Sequence, residues 1–145
     1  MQNGLYIVAT PIGNLGDLSP RAAETLANAD VIACEDTRIA KKLFALLNIS
    51  TAGKKFIVYQ NYNEEDEAQN IINLAVNDGK SIALVSDAGS PLISDPGYRL
   101  VRKAREQNVF VTVLPGCCAL VCALQLSGLP TNRFLFAGFI PCLLY

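Results

Sequence analysis

Short runs of β-branched and bulky apolar residues alternate with longer stretches of helical periodicity along the whole chain. This alternation restricts the fold more than any other feature. Strand-like runs occupy residues 5–9, 31–34, 56–59, 81–85 and 109–114, and 134–136 is a candidate sixth. Between them, Ser19-Pro20 opens a helix with a capping residue followed by proline, and Ala22, Ala23, Leu26 and Ala27 give it an apolar face. Residues 39–47 form a second helix with Leu43, Leu46 and Leu47 at core spacing. In a third, the acidic run 64–67 favours the positive end of the helix dipole. Its buried face holds Ile71, Ile72, Leu74, Ala75 and Val76, and Asp78-Gly79 ends it. Residues 98–106 and 119–126 complete the set. Strands alternating with helices of this length predict an α/β fold, a mainly parallel five- to six-stranded sheet flanked by helices. No repeat or linker divides the 145 residues, so they form one domain.

Composition narrows the function classes. Apolar residues make up 51% and charged residues 17%, enough to fill a core and far from a disordered composition. The formal charge is -1, so no basic excess signals nucleic acid. Histidine is absent, which removes the commonest metal ligand and general base. Cys117, Cys118 and Cys122 crowd together, but paired ligand loops are missing, and they read as small apolar residues near a helix start. The five cysteines lack the spacing of a disulfide framework. No signal peptide and no apolar run approaching the ~20 residues of a membrane span are visible, which predicts a cytoplasmic protein.

The unusual residues gather after the strands, where open parallel sheets bind ligands. Thr10-Pro11-Ile12-Gly13-Asn14-Leu15-Gly16 follows the first strand and Glu35-Asp36-Thr37-Arg38 the second. Residues 86–97 follow the fourth, and Pro115-Gly116-Cys117-Cys118 the fifth. The 86–97 loop holds two glycines, two prolines, three serines and two aspartates, a turn-rich path that brings backbone groups close to a ligand. The first loop lacks the full dinucleotide fingerprint, and no phosphate-loop Gly-Lys-Ser/Thr exists. Glu35-Asp36-Thr37-Arg38 reads two ways. One carboxylate pairs with Arg38 and caps the next helix, or the segment is a polar wall for a ribose or phosphate, with Arg38 suited to phosphate. Spacing does not single out a general base. Asn61, Tyr62, Asn63 and Glu64 follow the third strand and are candidates to join the rim, where Tyr62 is either a stacking platform or a partly buried aromatic.

Residues 5–15, Cys34-Glu35-Asp36-Thr37-Arg38, residues 85–97 and Leu129-Pro130-Thr131-Asn132-Arg133-Phe134 together carry a resemblance. The chain resembles the tetrapyrrole methylase superfamily, the class III S-adenosylmethionine (SAM)-dependent methyltransferases. Within it, the chain is similar to the 16S ribosomal RNA cytidine-2′-O-methyltransferase branch. The resemblance implies methyl transfer from SAM to a cytidine 2′-hydroxyl of 16S rRNA in the small ribosomal subunit, without a metal. It implies that Pro11 lines the cofactor cleft. Ser86, Asp87, Ala88, Gly89, Ser90, Pro91, Leu92, Ile93 and Ser94 would form its main wall, with Pro115 and Gly116 contributing. Glu35, Asp36 and Arg38 fall in the signature of the RNA branch, and they and Asn14 are the expected catalytic group. Family proteins are two-domain homodimers with SAM between the domains. Residues 1–145 are therefore expected to be the amino-terminal domain, with the second absent. Such a half is expected to associate and to bind SAM weakly. Cys117 stands where the family often has proline, and Gln60 and Tyr62 where relatives often carry histidine. The competing readings are a tetrapyrrole methylase of small macrocycles and a non-catalytic assembly module.

Overall fold

A computed structural model of the protein describes residues 1–139. Five strands, β1 (Gly4–Val8), β2 (Val31–Cys34), β3 (Lys55–Val58), β4 (Ser81–Val85) and β5 (Val111–Leu114), form one sheet in the order β3-β2-β4-β1-β5. Every pairing is parallel. The helices are α1 (Pro20–Asn28), α2 (Thr37–Leu46), α3 (Glu64–Asn77), α4 (Tyr98–Glu106) and α5 (Ala119–Leu126), with a 3-10 turn at Leu15–Asp17.

Side chains alternate across a strand, so each central strand feeds two cores. Leu5, Val31, Ala33, Ile82 and Leu84 face α3 and α4, where they meet Ile71, Ile72, Leu100 and Ala104. Tyr6, Val8, Ile32, Cys34, Ala83 and Val85 face α1 and α2, where they meet Ala22, Leu26, Ala40 and Phe44. Burial on both faces explains why the strands read as unbroken apolar runs. The chain crosses from β1 over β4 to β2 and β3, then returns through β4 to β5. Right-handed crossovers require the helices of the outward run and of the return to lie on opposite faces, as they do.

Local differences from the sequence reading have identifiable causes. Residues 134–136 form no strand, so the sheet has five strands rather than six. α2 begins at Thr37, two residues early, because the Asp36 carboxylate accepts the Arg38 amide at 2.7 Å and caps the helix there. In α2 the buried side chain is Phe44, edge-on to Phe56 at 5.4 Å, while Leu46 is 53% exposed. Val76 is likewise exposed at the end of α3. Ser19 caps α1 as expected, its Oγ accepting the Ala22 amide. No helix among the described residues is long and apolar enough to cross a membrane.

Candidate functional site

β4 lies between β2 and β1, and its following loop leaves toward α4 on one face. The loops after β2 and β1 leave toward α2 and α1 on the other. Loops that part in this way open a crevice beyond the strand ends. The crevice lies at the carboxyl end of β4, and the 86–97 loop forms its floor and one wall.

Hydrogen bonds stitch the loops together. Thr10 and Gly89 form an antiparallel bridge, amide to carbonyl at 2.8 and 3.1 Å. The buried Thr10 hydroxyl donates to the Ser86 carbonyl, and the Ser86 hydroxyl donates to the Gly89 carbonyl at 3.1 Å. The Ser90 hydroxyl donates to the Cys117 carbonyl at 2.9 Å, which ties in the loop after β5. On the β2 side, the Asp36 amide donates to Asp87 Oδ1 and the Asp87 amide to Glu35 Oε1, at 3.3 and 3.4 Å. Gln60 Nε2 donates to the Glu35 carbonyl and steadies that segment. Leu92 and Ser94 hold left-handed backbone, φ 72° and 66°. Non-glycine residues adopt this only under constraint, and such constraint concentrates at ligand sites.

Two hollows flank this loop. One, about 280 Å³, is almost wholly apolar and is walled by Ile7, Ala9, Pro91, Leu92, Val113 and Pro115. The other, about 330 Å³, is bordered by Ile12, Ala88, Ser94, Asp95, Leu120 and Phe136. A third, of about 230 Å³, lies across the Pro11–Gly13 ridge, with Leu15, Ile39, Lys42 and Asp87 on its walls. Gly116 lies tight against the first strand's end, since a Cβ there would sit 2.9 Å from Ala9 Cβ.

The crevice is acidic. Glu35 has a raised pKa, first from burial and then from the charge of Asp95. Burial also raises Asp87, against the hydrogen bond from the Asp36 amide, and raises Asp95, helped by the charge of Asp87. Asp36 is the opposite case. Hydrogen bonds from Arg38, one of them 2.6 Å long, pull its carboxyl down to about 2.

Most residues named from the sequence meet at this rim. Pro11, Asp87 to Ser94, Pro115 and Gly116 border the hollows or their connecting loops. Glu35 and Asp36 reach Asp87 through the bonds above. Arg38 turns outward, 90% exposed, and pairs with Asp36. Asn14 is exposed, and its Oδ1 accepts the Gly16 amide at 2.9 Å, capping the 3-10 turn. Tyr62 is exposed. Cys117 and Cys118 are partly exposed before α5, and Cys142 lies outside the described residues. One member of the acidic group was not singled out by the sequence. Asp95 joins the acidic group although it sits in the loop already named. Glu64, named both for its own helix dipole and among the residues that follow the third strand to the rim, places its carboxylate on the amide of Gly97 at the far end of the 86–97 loop.

The tetrapyrrole (corrin/porphyrin) methylase model matches residues 4–140. The chain is 50% identical over 141 residues to ribosomal RNA small subunit methyltransferase I of Rickettsia prowazekii, covering 97% of this chain and 49% of that protein. It is 54% identical over 137 residues to the protein of the same name from Vibrio cholerae, covering 94% and 46%. It therefore spans about half the length of the curated relatives it matches. Its fold resembles the crystal structure of the methyltransferase CobJ, with a TM-score of 0.68 at 19% identity over 90% of this chain and 53% of that one. With the match running through every strand and every rim loop described above, the chain belongs to the tetrapyrrole (corrin/porphyrin) methylase family.

Proposed function

We propose that this chain supplies the cofactor-binding α/β half of a SAM-dependent methyltransferase acting on the 2′-hydroxyl of a cytidine in 16S rRNA of the small ribosomal subunit. The observation that carries the reading is identity of about half, along nearly the whole chain, to relatives named for that class of substrate. The crevice chemistry suits the cofactor. An apolar slot beside the strained loop fits an adenosine. Glu35, Asp87 and Asp95 repel one another, and a sulfonium cation relieves that repulsion. When bound, SAM supplies an electrophilic methyl group. Pro11, the 86–94 wall, Pro115 and Gly116 hold it and keep water off.

Transfer to a hydroxyl releases a proton, and the protein must accept it. Of the acids named from the sequence, Asp36 is committed to Arg38 and to the α2 cap. Glu35 retains an oxygen without a strong partner and has an affinity for protons raised by burial, so it takes the hydroxyl proton in this reading. Arg38 extends outward on α2 as a phosphate contact for the RNA, and Asn14 shapes the ridge beside Pro11. The remaining portion of the relatives closes the pocket from the other side, and two copies pair.

Calorimetric titration of the purified chain with SAM tests the cofactor assignment. Binding near micromolar, about -8 kcal/mol, is expected if the rim loops form the pocket unaided. Weak binding is expected if the pocket depends on the part of the relatives that the chain does not span. Complete lack of binding, together with lack of methyl transfer to small subunits by a chain of the relatives' full length, sinks the reading.

A further inference from the structure

The amino end of α4 has a capping requirement that its own neighbours cannot meet. Its N-cap is Gly97, which has no side chain to accept the first-turn amides. Nor is there room for one. A Cβ at Gly97 would lie 2.7 Å from Leu92 Cγ and 3.0 Å from Leu84 Cδ2, and the φ of 142° disfavours any other residue. The acceptor comes from another helix. Glu64, the first residue of α3, places Oε1 2.9 Å from the Gly97 amide and 3.1 Å from the Arg99 amide. The same oxygen accepts the Tyr59 hydroxyl at 3.1 Å. The Glu64 side chain is only 12% exposed, and the Arg99 guanidinium lies 3.9 Å from its second oxygen. Charge-assisted bonds of this kind are the strong ones.

Gly97 is also where the 86–97 loop ends. At its other end the loop is fixed by Ser86 and by the Thr10–Gly89 bridge. Between these anchors lie Leu92 and Ser94 in left-handed backbone, a conformation non-glycine residues hold only under constraint from their surroundings. We propose that Glu64 is a positioning residue, whose carboxylate pins the outgoing end of the 86–97 wall and so sets the shape of the cofactor pocket from the first turn of α3. What the wall binds rests on the SAM reading above, but the pinning does not.

The test compares Glu64→Ala, Glu64→Gln and Tyr59→Phe in the intact chain, by hydrogen exchange without ligand and by SAM titration. In Glu64→Ala, amides of residues 92–99 should exchange at least tenfold faster while those of β1 and β4 stay unchanged, and SAM affinity should fall at least tenfold. Glu64→Gln keeps an acceptor oxygen and should recover part of both effects. Tyr59→Phe removes one donor without freeing Gly97, so loop exchange and SAM affinity should stay within twofold. Unchanged exchange at 92–99 overturns the proposal. So does acceleration spread equally over β1 and β4, which means lost stability only, and so does a faster loop with undiminished SAM affinity. A wild-type chain that binds no SAM sinks the cofactor role, while the exchange data still decide whether Glu64 holds the loop.

Discussion

The raised pKa values of Glu35, Asp87 and Asp95 mean that the folded crevice holds protons more tightly than the unfolded chain does. A carboxyl with a raised folded pKa contributes nothing below the ordinary carboxylate range, where both states are protonated. It weakens the fold as pH rises through the elevated value. Asp95→Asn should therefore raise the melting temperature at pH 7, and the gain should vanish near pH ~4. Thermal melts across that range check this, and an equal gain at both ends refutes it. Asp36 runs the other way. Its bond to Arg38 is present above the ordinary carboxylate range and is lost as pH falls toward about 2. Gly97 carries a different constraint, since both its φ and its neighbours exclude a Cβ. Gly97→Ala should cost about 1–3 kcal/mol by urea unfolding, and a neutral result would mean that Leu92 moves aside freely. The sequence marked glycine there as a turn residue. It could not show Leu92 and Leu84 closing over it, because that contact joins the loop to a strand.

At the level of elements, α2 shows how far periodicity reaches. Leu43, Leu46 and Leu47 have the spacing of a buried stripe, and the helix is present. Yet the core is entered by Phe44 and Ala40, with Leu43 and Leu47 packed at its margin. The sheet fixes the helix's rotation, and α2 sits near the edge strand β3, where only a narrow stripe finds a partner. Phe44→Ala should cost about 3–5 kcal/mol in urea unfolding, whereas Leu46→Ala should change stability by less than about 0.5 kcal/mol. Equal effects would mean that the helix is rotated. α3 gives the same lesson for polar residues. Four acids in its first turn suit its own dipole, but the partner that Glu64 serves is α4, 33 residues later. Gly97 has no side chain to cap α4, and only the fold shows which acid accepts its amide.

At the scale of the whole molecule, the two faces of the sheet are well covered, while among the described residues one flank is not. α5 has no buried residue. Val113, Val121, Leu126, Leu129, Phe134, Leu135 and Phe139 are all exposed on or after β5. Soluble monomers rarely present so much contiguous apolar surface. The isolated chain should self-associate at micromolar concentration, as sedimentation velocity would show. Leu126→Lys with Leu129→Lys should shift it toward the monomer without lowering its melting temperature. A monomer at every concentration would count against an exposed docking flank.

The sequence by itself determined the α/β class, the existence and order of the five helices and five strands of the described residues, and the loops that gather at the carboxyl ends of the strands. Those properties follow from local periodicity, capping residues and turn residues, and from the rule that ligands meet parallel sheets at strand ends. Tertiary structure decided the rest. Strand order placed β4 between β1 and β2 and so created the crevice. Packing brought Asp95 to Glu35, turned Arg38 back onto Asp36, and set Glu64 against Gly97. Each of these depends on groups far apart in the chain meeting in a setting where burial alters proton affinity and a missing hydrogen bond is costly, and no local pattern of residues records such meetings.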